Sequence, residues 1–225
     1  MAKQIRGRSP TAATEPANFD VIENPSLRAL AQLGHVHRYR RNVIVMQEDD
    51  PGGSLFVILA GRLRVYSGDP GGREITYGTY GPGDTLGEMS LDGSRRSANV
   101  LAIESSACSV IGHDTLRERF SHDPQLAFEL LSRVIQRARL ASNLARGMAT
   151  MDVYGRLVAM LELHADDIED GKRIIRERLT HQLIASHIGA SRVMITRLIN
   201  DLIAGGYLTL ADHHIVINRR LPRGW

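Results

Sequence analysis

Cysteine is almost absent from this chain. The single thiol, Cys108, among 225 residues cannot close an internal disulfide or supply a cysteine-rich metal site, and it points to a reducing compartment. The nine histidines show no HExxH or other paired-ligand spacing. The close pairs His35/His37 and His213/His214 read as loop or strand-edge residues. Long apolar runs are missing too. None approaches the roughly 18 residues that a membrane-spanning helix needs. The stretch Met1–Asn18 lacks an apolar h-region and so does not read as a secretory signal. It is rich in Arg, Thr, Ala, Ser and Pro, and a disordered tail is expected there. A soluble, cytoplasmic protein with no membrane partner is expected. Aromatics make up only 5% of the chain, so aliphatic side chains must fill the interior. There is no nucleophile elbow, P-loop or metal set, and no carboxylate pair that reads as catalytic. Glu162/Asp166 and Asp167/Glu169/Asp170 read as a solvated helix end and a polar linker. No enzyme is expected.

What is present divides unevenly. Between Gly34 and Gly93, glycines recur every few residues. They separate short β-type runs at Val43–Met46, Leu55–Leu59, Leu63–Tyr66 and Ile75–Tyr80, followed by Ser97–Leu101 and Cys108–Ile111. Short strands with glycine-rich turns predict an antiparallel barrel or sandwich. Leu63 and Val65 alternate with Arg62 and Arg64, as in a half-buried strand. Gly68-Asp69-Pro70-Gly71-Gly72 is a turn by composition.

After Ile111 the pattern becomes helical. Asp114–Phe120 predicts a short helix. Asp123-Pro124 has the form of an N-cap followed by proline at the first helical position. A helix without internal proline then runs from about Gln125 to Met151, roughly 40 Å long. Val134, Ala141, Leu144, Met148 and Met151 fall at heptad-like spacing, with Arg137 in the broken position. Either a core helix or a parallel coiled coil between two copies would explain the stripe. Its persistence beyond the width of a small barrel favours the homodimer.

The third segment starts at Asp152. A helix over Tyr154–Ala165 and a polar linker over Asp166–Lys172 lead to two helices, Leu179–His187 and Ser191–Ala204, split by Gly189-Ala190. Strands at Tyr207–Leu210 and Ile215–Ile217 flank an Asp212-His213-His214 turn. This order predicts a winged helix-turn-helix. Ile188, Ile195, Leu198 and Leu202 give the second helix a buried face. Ser191, Arg192, Thr196 and Arg197 lie on its other face, able to reach a major groove, where an arginine fork matches guanine. Ser191, Thr180 and Gln182 suit contacts to phosphate. The net charge of +3 and pI of about 9.3 are compatible with double-stranded DNA as partner.

Three motifs together carry a family resemblance that spans about residues 19–220. G-E-M-S-L-D-G-S-R-R-S-A (Gly87–Ala98) resembles the phosphate-binding cassette of cyclic-nucleotide domains. M-D-V-Y-G-R-L (Met151–Leu157) resembles a hinge after the long helix. I-G-A-S-R-x-x-x-x-R (Ile188–Arg197) resembles a recognition-helix entry. The chain resembles the superfamily of the cyclic-AMP receptor protein and the fumarate-nitrate regulator. That resemblance implies an α+β protein with three parts. They are a cyclic-nucleotide-binding β-roll (a double-stranded β-helix, or jelly roll) over 19–122, a dimerisation helix over 123–151 and a winged helix-turn-helix over 152–225, behind the tail 1–18.

It also implies a ligand site of Gly87, Glu88, Met89, Ser90, Arg96, Ser97 and Ala98. Arg137 would pair with Glu88, and Ser142 of a partner copy would reach the purine beside Ala141. Arg96 suits a phosphodiester anion, Glu88 a ribose hydroxyl, and Ser97 a phosphate or a purine edge. Where the cyclic-AMP receptor carries threonine, this chain has Ala141, and its cassette loop is shorter. Cyclic AMP, cyclic GMP and the larger cyclic di-GMP therefore all stay open, with a cyclic mononucleotide favoured. A regulator with a vestigial pocket is the rival. In the recognition helix Val193 replaces a base-reading glutamate and predicts an altered base preference within a palindromic site. RNA polymerase is an implied partner. One cysteine excludes the iron–sulfur branch, and Cys108 reads as a buried thiol rather than a haem ligand.

Overall fold

The computed structural model describes residues 17–69, 74–168, 171–211, 214–222 and 224. Most of the expected tail lies outside these residues. So do parts of the expected 68–72 turn, the 166–172 linker and the 212–214 turn.

Contacts divide the chain into two compact units. One holds the described residues up to Arg64 together with Thr79–Leu131. The other holds Val65–Gly78 and the described residues from Ser132 onward.

In the first part of the chain lie α1 (Pro25–Ala31) and the strands β1 (His35–Tyr39), β2 (Ile44–Met46), β3 (Ser54–Ala60) and β4 (Leu63–Gly68). β5 (Glu74–Tyr80), β6 (Thr85–Leu86), β7 (Asn99–Ala102) and β8 (Ser106–Gly112) follow, then α2 (His113–His122). Eight strands form two four-stranded sheets, ordered β1-β8-β3-β6 and β2-β7-β4-β5. Apart from β4 and β5, adjacent strands are not consecutive in sequence, as in a jelly roll.

β3 reads Ser-Leu-Phe-Val-Ile-Leu-Ala and is buried on both faces. Period-two alternation explains this. Leu55, Val57 and Leu59 join Leu27, Leu30, Leu116, Leu126 and Leu130 in one helix-covered core. Phe56 and Ile58 point the other way. β1 and β6 were not expected from sequence. β1 (His-Val-His-Arg-Tyr) has no apolar alternation to betray it, and β6 is only two residues long. Arg64, expected on a wet face, is buried.

The long helix α3 runs from Pro124 to Thr150. Asp123 caps it, its carboxylate accepting from the Leu126 N–H at 3.3 Å. Among its described residues the most exposed large apolar side chains are Phe128 (63%), Leu131, Leu140 and Ile135. Of the expected stripe, Val134, Leu144 and Met148 are half-covered, while Ala141 and Met151 are exposed. The helix therefore has two apolar faces, and the sequence pattern singled out the more covered one. The face that runs through Phe128, Leu131 and Ile135 continues at heptad spacing through Ala138 and Ser142.

The second unit's main core joins α4 (Val153–Leu163), α5 (His181–Ile188) and α6 (Arg192–Ala204) to a sheet. That sheet holds β9 (Asp166–Asp167), β10 (Arg173–Ile175), β11 (Leu208–Ala211) and β12 (His214–Ile217), ordered β11-β12-β10-β9. The expected wing was a two-stranded hairpin. The expected linker supplies β9, and the unassigned stretch just after it supplies β10, where Ile175 is fully buried against the helices and pairs with Ile215. Gly189 takes φ +63, the left-handed conformation that favours glycine in the turn between α5 and α6, and only the flexible end of Met148 lies near where its Cβ would be.

Candidate ligand and DNA sites

β6 ends at Leu86, and Gly87 follows with φ +89, a backbone region natural to glycine. A Cβ there would fall 2.6 Å from Arg96 Nη1 and 2.6 Å from the Ser54 carbonyl. The chain then makes one 3₁₀ turn over Glu88–Ser90, with the Ser90 N–H reaching the Gly87 carbonyl at 3.3 Å.

Arg96 sits against this turn, only 7% exposed, as is Glu88. Its main chain is fixed by Arg96 N–H to Asp50 O (2.9 Å) and by Asp49 N–H to Arg96 O (3.0 Å). Its Nη1 donates to Ser90 Oγ (2.8 Å), Ser54 O (3.0 Å) and Gly87 O (3.2 Å). Its Nη2 donates to Ser54 Oγ at 2.7 Å. The guanidinium also lies 5.6 Å from the Phe56 ring centroid. Every one of these partners is neutral. Burial pulls the Arg96 guanidinium below its ordinary value, against the opposing pull of the Glu88 and Asp50 carboxylates. A buried cation held by neutral acceptors is a site prepared for an anion.

The sequence-predicted residues therefore separate. Gly87, Glu88, Ser90 and Arg96 come together. Ala98 is buried beside them in sequence, while Met89 and Ser97 are exposed. Arg137, Ala141 and Ser142 belong to α3 in the other unit. There the Ser142 hydroxyl donates to the Ala138 carbonyl at 2.9 Å. Ser54 and Phe56 were missed. Nothing local marks them, since they meet Arg96 from 42 and 40 residues away in sequence. Cys108 is fully buried, its thiol pushed up to about 12 by desolvation.

In the second unit, Thr180 and Ser191 cap α5 and α6, their hydroxyls accepting from Leu183 N–H (3.1 Å) and Met194 N–H (3.2 Å). A hydroxyl that accepts in this way still has its own O–H to donate. Gln182, Arg192 and Val193 are exposed, Val193 at 80%. Arg197 reaches Asp201 at 3.9 Å along the helix. Thr196 is less free than its position suggested. Its hydroxyl donates to the Arg192 carbonyl at 2.9 Å and meets His181 Nδ1 at 3.0 Å.

Two further residues carry information that the sequence pattern did not. Met194 is an exposed apolar side chain beside Val193. Arg156 ties the hinge to the helix-turn-helix, donating from Nε to the Ile188 carbonyl (2.8 Å) and from Nη1 to the Met151 carbonyl (2.7 Å).

A jelly roll with an anion-ready cassette, followed by a helix-turn-helix, defines a class: regulators that couple a small-ligand domain to DNA binding. Comparison with known proteins gives the family. Residues 36–123 match the cyclic nucleotide-binding domain, and residues 155–220 match the Crp-like helix-turn-helix domain. Together these matches take in more than half of the chain, which belongs to the Crp/Fnr family of transcription regulators.

The chain is 27% identical over 211 residues to a CRP-like cAMP-activated global transcriptional regulator of Mycobacterium tuberculosis, covering 91% of this chain and 94% of that protein. It is 29% identical over 210 residues to the cAMP-activated global transcriptional regulator Vfr of Pseudomonas aeruginosa, covering 88% and 97%. The fold matches the c-di-GMP responsive global regulator CLP of Xanthomonas campestris with a TM-score of 0.77 at 22% identity, over 87% of this chain and 99% of that one. These relatives are regulators and not enzymes. No helix among the described residues is long and apolar enough to cross a membrane.

Proposed function

We propose that this protein is a cytoplasmic, homodimeric transcription regulator whose DNA binding is switched by a cyclic mononucleotide, cyclic AMP or cyclic GMP. One observation carries the ligand reading: Arg96 is buried, pre-oriented and surrounded by neutral acceptors. A cyclic phosphodiester is a compact monoanion that such a fork can grip bidentately. The cAMP-activated relatives support the same class.

In this reading residues 19–122 sense the ligand, 123–151 dimerise and 152–225 bind DNA. Glu88 accepts from a ribose hydroxyl and pairs with Arg137. Ser142 reaches the base from a partner copy. The exposed Phe128, Leu131 and Ile135 supply the helix seam that brings two copies together. Two copies place their α6 helices for half-sites one DNA turn apart. Ligand shifts the population towards that arrangement, and a nearly complete switch needs a preference of up to about 5.5 kcal/mol for the active state. The shorter cassette loop and Ala141 leave the base open, and the fold match to a c-di-GMP responsive regulator is why cyclic di-GMP is kept as the second effector reading.

Calorimetry with cyclic AMP, cyclic GMP and cyclic di-GMP, followed by a DNA mobility shift with and without whichever binds, tests the proposal. Heat with a cyclic mononucleotide and ligand-dependent DNA binding are expected. DNA binding indifferent to all three would establish a vestigial pocket.

A further inference from the structure

We infer that Ser54 is a ligand-contacting residue of the cassette, presenting its hydroxyl hydrogen to the phosphate while it orients Arg96. This rests on the reading that the cassette takes a cyclic mononucleotide. Ser54 stands at the entry of β3, just after Gly52-Gly53, and is half-buried. It holds Arg96 twice, through its carbonyl (3.0 Å to Nη1) and its hydroxyl oxygen (2.7 Å to Nη2). Those two bonds occupy the outer, end-on edge of the guanidinium. Ser90 and Gly87 take the rest of Nη1. The Nε–H and the second Nη2 hydrogen are thereby left on the side edge, as a parallel pair suited to two oxygens of one phosphate. A serine hydroxyl has one donor and two acceptor lone pairs. Ser54 Oγ already accepts from Nη2, so its own hydrogen points away from that nitrogen and is free to turn towards an anion on the fork's open edge. An anion seated on that edge meets a neutral O–H donor next to the cationic pair. Ser90 cannot play this part, because its hydroxyl hydrogen goes to the Gly87 carbonyl at 3.1 Å.

The test uses the full-length protein and calorimetry with cyclic AMP and with its Rp and Sp phosphorothioates, which place sulfur on one or the other exocyclic oxygen. Ser54→Ala is expected to weaken cyclic AMP binding about tenfold, the scale of a hydrogen bond to a charged group. Ser54→Thr, which keeps the hydroxyl, is expected to restore most of it. The wild type is expected to discriminate between the two diastereomers, since a sulfur facing Ser54 accepts poorly. In Ser54→Ala that ratio is expected to fall towards one. A purely structural serine would weaken both diastereomers alike and leave the ratio unchanged, which overturns the contact. Equal affinities of wild type and Ser54→Ala, with unaltered melting, overturn it too. A wild type that takes no cyclic mononucleotide overturns the nucleotide reading itself, and the contact with it.

Discussion

The cassette and the recognition helix both rely on arginine, and they treat it in opposite ways. Arg96 is buried, its fork fixed by two serines, backbone carbonyls and an aromatic face. Arg192 is exposed, and Arg197 has only a distant ion pair along its own helix. A small anion offers few contacts, so its receptor must settle orientation in advance. The entropy of the side chain is then lost on folding and not on binding. DNA offers a long row of phosphates and base edges. There, exposed arginines are left without fixed partners across the fold, and caps such as Thr180 and Ser191 hold only the helix ends.

Three substitutions would break or sharpen that contrast. Arg96→Leu should have the largest effect. It is expected to weaken cyclic-nucleotide binding about a hundredfold, from the loss of two charge-assisted bonds. Melting should also fall, because Ser54, Ser90 and Gly87 lose the donor that satisfies their oxygens, so the melt serves to show that the variant is still folded at the assay temperature. Calorimetry with a parallel thermal melt checks this, and retained affinity would show that the fork is not the anion site. Arg192→Ala comes next. It is expected to cost about 1–3 kcal/mol of base discrimination while leaving ligand affinity untouched. A gel shift comparing a selected site with scrambled DNA reads it, and unaltered preference would remove Arg192 from base reading. Val193→Glu should be the mildest, altering the preferred base pair at one position of each half-site by about tenfold. Selection from a random DNA pool, run on both proteins, would report it. Identical consensus sites would mean that Val193 is silent despite its exposure.

Much of the cassette was legible in sequence because glycine and arginine carry their constraints with them. Gly87 stands where a positive φ and a close approach leave no alternative, and Arg96 has few reasons to be buried other than an anion. Ser54 and Phe56 were not legible. Serine and phenylalanine at a strand start are ordinary, and only the sheet fold brings them to Arg96. The long helix shows a different limit. Its sequence holds two apolar faces, and periodicity alone chose Val134, Leu144 and Met148 over Phe128, Leu131 and Ile135. The wing shows a third. β9 and β10 lie in a charged stretch whose one fully buried residue, Ile175, gives no alternation to read.

That wing has a consequence for how the DNA-binding unit assembles. The chain leaves the sheet at Ile175, runs through α5 and α6, re-enters it at the edge strand β11, and then closes beside its point of departure where Ile215 of β12 pairs with Ile175. The recognition helix is therefore carried on a loop stitched shut at its base. Closing that loop has an entropic cost that grows only slowly with its length, but the stitch rewards nothing until both ends have met. The two helices should gain their final packing together with the strands, in one cooperative step, and a nick anywhere between Ile175 and Ile215 should loosen the whole unit more than its local contacts suggest.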